Sequence, residues 1–223
     1  MQMTIDRRLF AVISSFVIVS FLGCDQDKST SGAHVSGKQA GVEQQGIVLV
    51  KSVGVDGDLV GMLAAYAQKE WHCAVRIASG SLEMKAGRLQ EISNDLMGQR
   101  RPGDLCAVLL YSNDTGDLLT AVDGTNGVGA ANLGTVMGGA PNPRIKDLRA
   151  TKESMRCIGL AAGLRPCPFP QCALYKTRDL TELDYKGCNY SPPCQEKMFA
   201  LLRKKGVDIL PTDPRFPSKG TSR

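Results

Sequence analysis

TKESMRCIGLAAGLRPCPFPQCALYKTRDLTELDYKGCNYSPPC, residues 151–194, decides the fold, because it holds five of the eight cysteines in the 223-residue chain and changes character halfway along. Its first half reads as a helix. Ile158, Leu160, Ala161 and Leu164 supply an apolar surface, and Gly159, Ala162 and Gly163 keep that surface small enough for close packing. Its second half reads as a loop held by cysteines. Four residues separate Cys167 from Cys172 and five separate Cys188 from Cys194. Two short-spaced pairs flanking a loop are the usual arrangement of a closed tetrahedral zinc site. In an oxidising compartment the same four thiols could instead close two disulfides. Cys73, Cys106 and Cys157 stand in apolar strands or a helix and read as buried free thiols.

Ahead of this stretch the chain alternates strand and helix patterns. Ile47 to Val50 form a β-branched run expected to be a buried strand, and Asp56 or Asp58 can cap a following helix with Leu59, Met62, Leu63 and Tyr66 at helical spacing. Cys73, Val75 and Ile77 alternate with Ala74, Arg76 and Ala78 as a half-buried second strand. Leu82, Leu89, Ile92 and Leu96 mark a second helix. After the RRPGD break, residues 105–111 are another buried strand and 118–122 a shorter one, with the glycine-rich segment 124–139 expected as loop and edge strand. Alternation of this kind argues for an α/β sheet. The glycines of 124–139 do not sit between a strand and a helix in the manner of a phosphate-binding loop.

The N-terminal residues read differently. Arg7 and Arg8 precede an apolar run, LFAVISSFVIVSFLG at 9–23, followed by Cys24, which predicts a lipoprotein-type signal peptide at 1–23 with lipidation of Cys24. Residues 24–45 are rich in Ser, Gly, Lys and Gln and are expected to be a flexible tether, with His34 a solvent-exposed passenger. The folded domain is then 46–210, and 211–223 a polar tail. These features predict a protein exported to a bacterial cell envelope and membrane-anchored through Cys24. The formal net charge of +5 gathers partly at the chain ends, without the interleaved basic and aromatic residues of a nucleic-acid surface, so no nucleic-acid partner is expected.

The order of segments and their wording resemble the archaemetzincins, compact zinc peptidases of the metzincin clan. IVLVKSVGVDGDLVGMLAAYAQKEWHCAVRI resembles the family's opening strand, turn, helix and second strand, and KESMRCIGLAAGLRPC its active-site helix. CALY stands where the family has CVM, and LTELDYKGCNYSPPC resembles its trailing Asp, Lys and cysteine pattern. The resemblance implies a compact metzincin-like α/β domain with a mixed sheet, packed helices and a C-terminal four-cysteine loop. It also implies a HExxHxxGxxHC motif on the helix, but the chain departs from it. With Gly163 and Cys167 aligned to the motif's glycine and cysteine, Arg156, Leu160 and Pro166 replace the three zinc-binding histidines, and Cys157 replaces the general-base glutamate.

A zinc that activates water needs neutral imidazoles and an open position, and no histidine follows His72. The expectation is therefore a degenerate site without catalytic zinc, in a non-catalytic domain that binds a peptide or protein or serves a structural role. The alternative is a hydrolase with unorthodox residues, using Cys157 and Glu153. Glu153 and Lys152 are otherwise expected on a solvated helix face. The resemblance implies a second, structural zinc held by four cysteines; Cys167, Cys172 and Cys194 match three of those positions. Ser191 stands where the remaining one belongs, and Cys188 is the candidate to replace it.

Overall fold

The computed structural model describes residues 44–83, 88–113 and 119–210. The expected signal peptide, Cys24, nearly all of the tether and the 211–223 tail lie outside them. In chain order the elements are β1 (Gly46–Lys51), α1 (Gly57–Trp71), β2 (Ala74–Ser81), α2 (Leu89–Gly98), β3 (Cys106–Tyr111), β4 (Thr120–Asp123), β5 (Val128–Asn132), α3 (Leu133–Met137), α4 (Pro143–Ala161), α5 (Leu180–Tyr185) and α6 (Pro192–Lys205). The strands form one sheet in the order β2-β1-β3-β5-β4. β1 runs parallel to β2 and β3, β3 parallel to β5, and β4 antiparallel to β5, so the sheet is mixed as expected.

The central strands are buried on both faces, which is why they read as continuous apolar runs. Alternate residues divide them between two cores. Ile47, Leu49, Cys106, Val108 and Leu110 face a core built with α1 and α4. Val48, Val50, Ala107, Leu109 and Tyr111 face a second core, closed by Leu89, Ile92 and Leu96 of α2. α1 starts where expected, with the Asp56 carboxylate accepting from the backbone N–H of Asp58.

Several expectations change. The 124–139 segment contains a strand inside the sheet, β5, with every residue buried, followed by the short helix α3. Its composition, VGAAN, lacks the usual β-branched signal because α4 crosses it closely. A Cβ on Gly129 would lie 2.8 Å from Cys157 Sγ and 3.3 Å from Ala161 Cβ. α4 begins at Pro143, capped by Asn142, well before residue 151. Leu82 precedes α2 and is not part of it. β2 is an edge strand, so Ile77 is 45% exposed and the expected alternation holds only at its start.

The RRPGD segment also carries more structure than a break. The Asp104 carboxylate accepts from the Gly46 N–H at 3.1 Å, from the Arg101 N–H at 2.8 Å and from Arg76 Nη2 at 2.7 Å. It thus ties the starts of β1 and β3 to edge strand β2. The side chain is 2% exposed, so removing it takes an acceptor from two backbone N–H groups and the carboxylate from Arg76, which keeps the Gln99 carbonyl. Asp104→Ala is expected to lower unfolding free energy by about 2–4 kcal/mol, measured by urea denaturation.

Candidate functional site

From Arg149 onward α4 is enclosed on nearly all sides, by the sheet on one flank and by the C-terminal segment on the other. A helix in that position is ordinarily apolar all round. This one carries Arg149, Lys152, Glu153 and Ser154, all buried, in contrast to the solvated face expected for Lys152 and Glu153. Burial of these groups is tolerable only where they are paired, and the partners come from elsewhere in the sequence. Arg149 makes a two-pronged contact with Asp184, Nε to Oδ1 and Nη2 to Oδ2, both at 2.7 Å. Lys152 Nζ donates to the carbonyls of Leu183 at 2.9 Å and Asp184 at 2.6 Å, capping the C-terminal turn of α5.

Glu153 lies at the centre of a second group. Its Oε1 accepts from the Thr120 hydroxyl and from Arg156 Nη1, the latter at 3.0 Å. Its Oε2 lies 3.6 Å from Lys186 Nζ, an ion-pair rather than a hydrogen-bond separation. Both Glu153 and Lys186 side chains are at most 1% exposed, and Arg156 is 14% exposed. One carboxylate therefore faces two cations. Burial pulls the Lys186 ammonium down to about 8, against the opposing pull of Glu153.

This group occupies the place where the sequence expected degenerate catalytic positions. Arg156 is held by Glu153 one helical turn earlier, with its guanidinium engaged. Cys157 is fully buried. Burial, with the Glu153 charge and Cys106 adding to it, pushes its thiol well above the ordinary range, so it is no open nucleophile. Leu160 is half-buried and Pro166 exposed. After the helix the chain turns back: α4 ends at Ala161, and Gly163 takes φ +103°, a left-handed conformation that reverses the chain toward Cys167. Beneath it Leu174, 1% exposed, packs so closely that a Cβ on Gly159 would lie 2.6 Å from its Cδ2. A guanidinium, an isobutyl group and a proline offer a metal no donor pair at the three positions, so the residues present do not fit a catalytic zinc.

The cysteine loop is organised separately. The Sγ atoms of Cys167, Cys172 and Cys194 lie within 4.8 Å of one another, all three residues buried. Zn–S bonds of about 2.3 Å in a tetrahedron put sulfurs roughly 3.8 Å apart, so this set fits a zinc ion. The expected fourth residue, Cys188, is not in the cluster. Tyr66 in α1 donates its hydroxyl to Cys188 Sγ at 3.0 Å and to Asn189 Oδ1 at 3.1 Å. Ser191 Oγ is instead 3.6 Å from Cys167 Sγ, and the Ser191 N–H donates to Cys172 Sγ at 3.4 Å. All seven described cysteines are free thiols, with none in either of the disulfides considered; Cys73, Cys106 and Cys157 are buried as expected.

Residues that sequence reasoning passed over hold the loop to the helices. Glu70 accepts from the Tyr190 N–H at 2.8 Å and Asn189 Nδ2 at 2.9 Å. Trp71 Nε1 donates to the Tyr190 hydroxyl, which donates onward to the Met155 carbonyl at 2.7 Å. One signal was available: Glu70 stands on the same stripe of α1 as Leu63, Ala67 and Trp71, an acid on a buried face.

A mixed sheet with one antiparallel edge, a buried helix crossing it and a loop of cysteines closing that helix make up one α/β domain. Solved structures share it. An archaemetzincin from Methanopyrus kandleri superposes with a TM-score of 0.61 at 18% identity, covering 72% of this chain and 96% of that one. A zinc-dependent peptidase from Methanocorpusculum labreanum gives 0.58 at 17% identity, covering 68% and 99%. In sequence, archaemetzincins from Pyrococcus abyssi and Pyrococcus horikoshii are 31% and 30% identical over 70 residues. Those matches span 31% of this chain and 37% of each relative. No family model matches the chain. Sequence and fold together bear out the resemblance to the archaemetzincin family.

The buried ion group makes two expectations. Glu153→Gln leaves Arg156 and Lys186 facing each other without a carboxylate and should cost about 3–5 kcal/mol in denaturant unfolding. Lys186 has a folded-state value of about 8, below its ordinary 10.5, so between those pH values the unfolded chain binds more protons than the folded one. Its burden on stability is full below pH 8 and fades as pH rises toward 10.5. Unfolding of wild type and Lys186→Met across this range should show wild type gaining relative to the variant as pH rises.

Proposed function

We propose that this protein is a non-catalytic archaemetzincin-type domain, exported and tethered to the bacterial envelope through Cys24, that binds a peptide or protein. The observation that carries the reading is the engagement of Arg156. At a position where the family places a zinc-binding imidazole, this chain has a guanidinium committed to a buried carboxylate, Glu153, which Lys186 and Thr120 also hold. A cation there repels a metal ion, and the ion group supplies the positive charge that a metal would otherwise bring to this part of the fold. Cys157, in place of the general base, is sealed against Gly129 and Ala161 of the core and has no route to solvent-borne substrate.

What persists is the scaffold: the reversal at Gly163, the Leu174 floor and the loop anchored by Glu70 and Tyr190. Retention of the helix and its closing loop, with all four catalytic positions replaced, favours a role in recognition over hydrolysis. The apolar run at 9–23 and the cysteine after it support tethering.

The purified protein, lipid-anchored in detergent, is expected to leave unstructured peptides and casein uncut and to contain one zinc per chain by elemental analysis. Chelator-sensitive cleavage that disappears in Arg156→Ala, or a second zinc, would overturn the reading.

A further inference from the structure

The cysteine cluster departs from a closed four-thiolate site in a specific way, and this concerns the second site, independently of the reading above. Three sulfurs, those of Cys167, Cys172 and Cys194, converge. Cys188, the remaining thiol of the loop, is engaged outward by the Tyr66 hydroxyl at 3.0 Å and by Asn189 Oδ1 at 3.3 Å. The side chain that approaches the cluster in its place is Ser191, with Oγ 3.6 Å from Cys167 Sγ and its N–H on Cys172 Sγ.

Ser191 is the N-cap of α6, yet its hydroxyl makes no capping bond to the helix. The hydroxyl is thus turned to the cysteines rather than to the backbone. Ser191 also lines a surface cavity of about 370 Å³, together with Phe169, Tyr190, Pro192 and Pro193. Ser191 is thus the residue that both touches the cluster and lines the cavity.

We propose that this cluster is a three-thiolate zinc site whose fourth coordination position, on the Ser191 side, takes an exchangeable ligand such as water or a small imidazole or thiol entering from the cavity. A serine hydroxyl is a poor zinc ligand beside thiolates but a good hydrogen-bond partner for a metal-bound water or for a thiolate. Closed structural zinc sites have four protein ligands, whereas sites with three keep an open position. The cysteine at 188 cannot close this one without giving up Tyr66 and Asn189.

The test is cobalt(II) substitution of the full-length protein, because thiolate-to-cobalt charge-transfer absorption scales with the number of bound thiolates. Cys188→Ser should leave that band unchanged, and added imidazole should shift the ligand-field bands of the wild type. Ser191→Cys should raise the charge-transfer intensity by about a third, the ratio of four thiolates to three, and make the spectrum insensitive to imidazole. Loss of about a quarter of the band in Cys188→Ser, or a wild-type spectrum that imidazole does not alter, would overturn the proposal. Failure to bind cobalt at all in a protein whose circular dichroism is that of the folded chain would overturn it as well.

Discussion

The fold turns on one constraint: α4 is buried along most of its length while carrying charged side chains. Each of those charges needs a partner inside the protein, since an isolated ion moved out of water costs several kcal/mol. Most of the partners are supplied by α5 and the loop after it, through Asp184, Lys186 and the carbonyls of Leu183 and Asp184, while Thr120 of β4 and Arg156 of α4 itself complete the set around Glu153. α4 and the C-terminal third are therefore mutually dependent. Neither side of the contact is satisfied without the other.

The same constraint explains why the loop is anchored at so many points. Glu70 and Trp71 at the end of α1 bind Asn189 and Tyr190, and Tyr190 reaches through to the Met155 carbonyl. Trp71 and Tyr190 meet edge to face with centroids 5.7 Å apart. This places the cysteines against the helix end, and a metal held by Cys167, Cys172 and Cys194 would join the loop ahead of α5 to the first turn of α6. On the opposite face, the close crossing of α4 over β5 depends on Gly129, and the small residues of that strand follow from it.

Solved structures share this architecture at 16–18% identity, a level at which the fold is common but the chemistry need not be. The ion group of Glu153, Arg156 and Lys186 lies where the family's peptidase site would be. The pairing of these charges holds α4 against the C-terminal loop.

The sequence by itself determined the α/β class, the strand and helix order of the first half, the family likeness and the absence of imidazoles after His72. Those follow from local periodicity and residue type, which need no partner to be read. The structure decided that 124–139 holds an internal strand, because small residues there answer to a helix lying across them rather than to their own propensity. It decided that Glu153 and Lys152 are buried, because hydropathy along α4 cannot reveal that Thr120, Asp184 and Lys186 wait to pair with them. And it decided which thiols converge: a spacing of five residues permits Cys188 to join the cluster, but Tyr66, 122 residues away in sequence, holds it elsewhere.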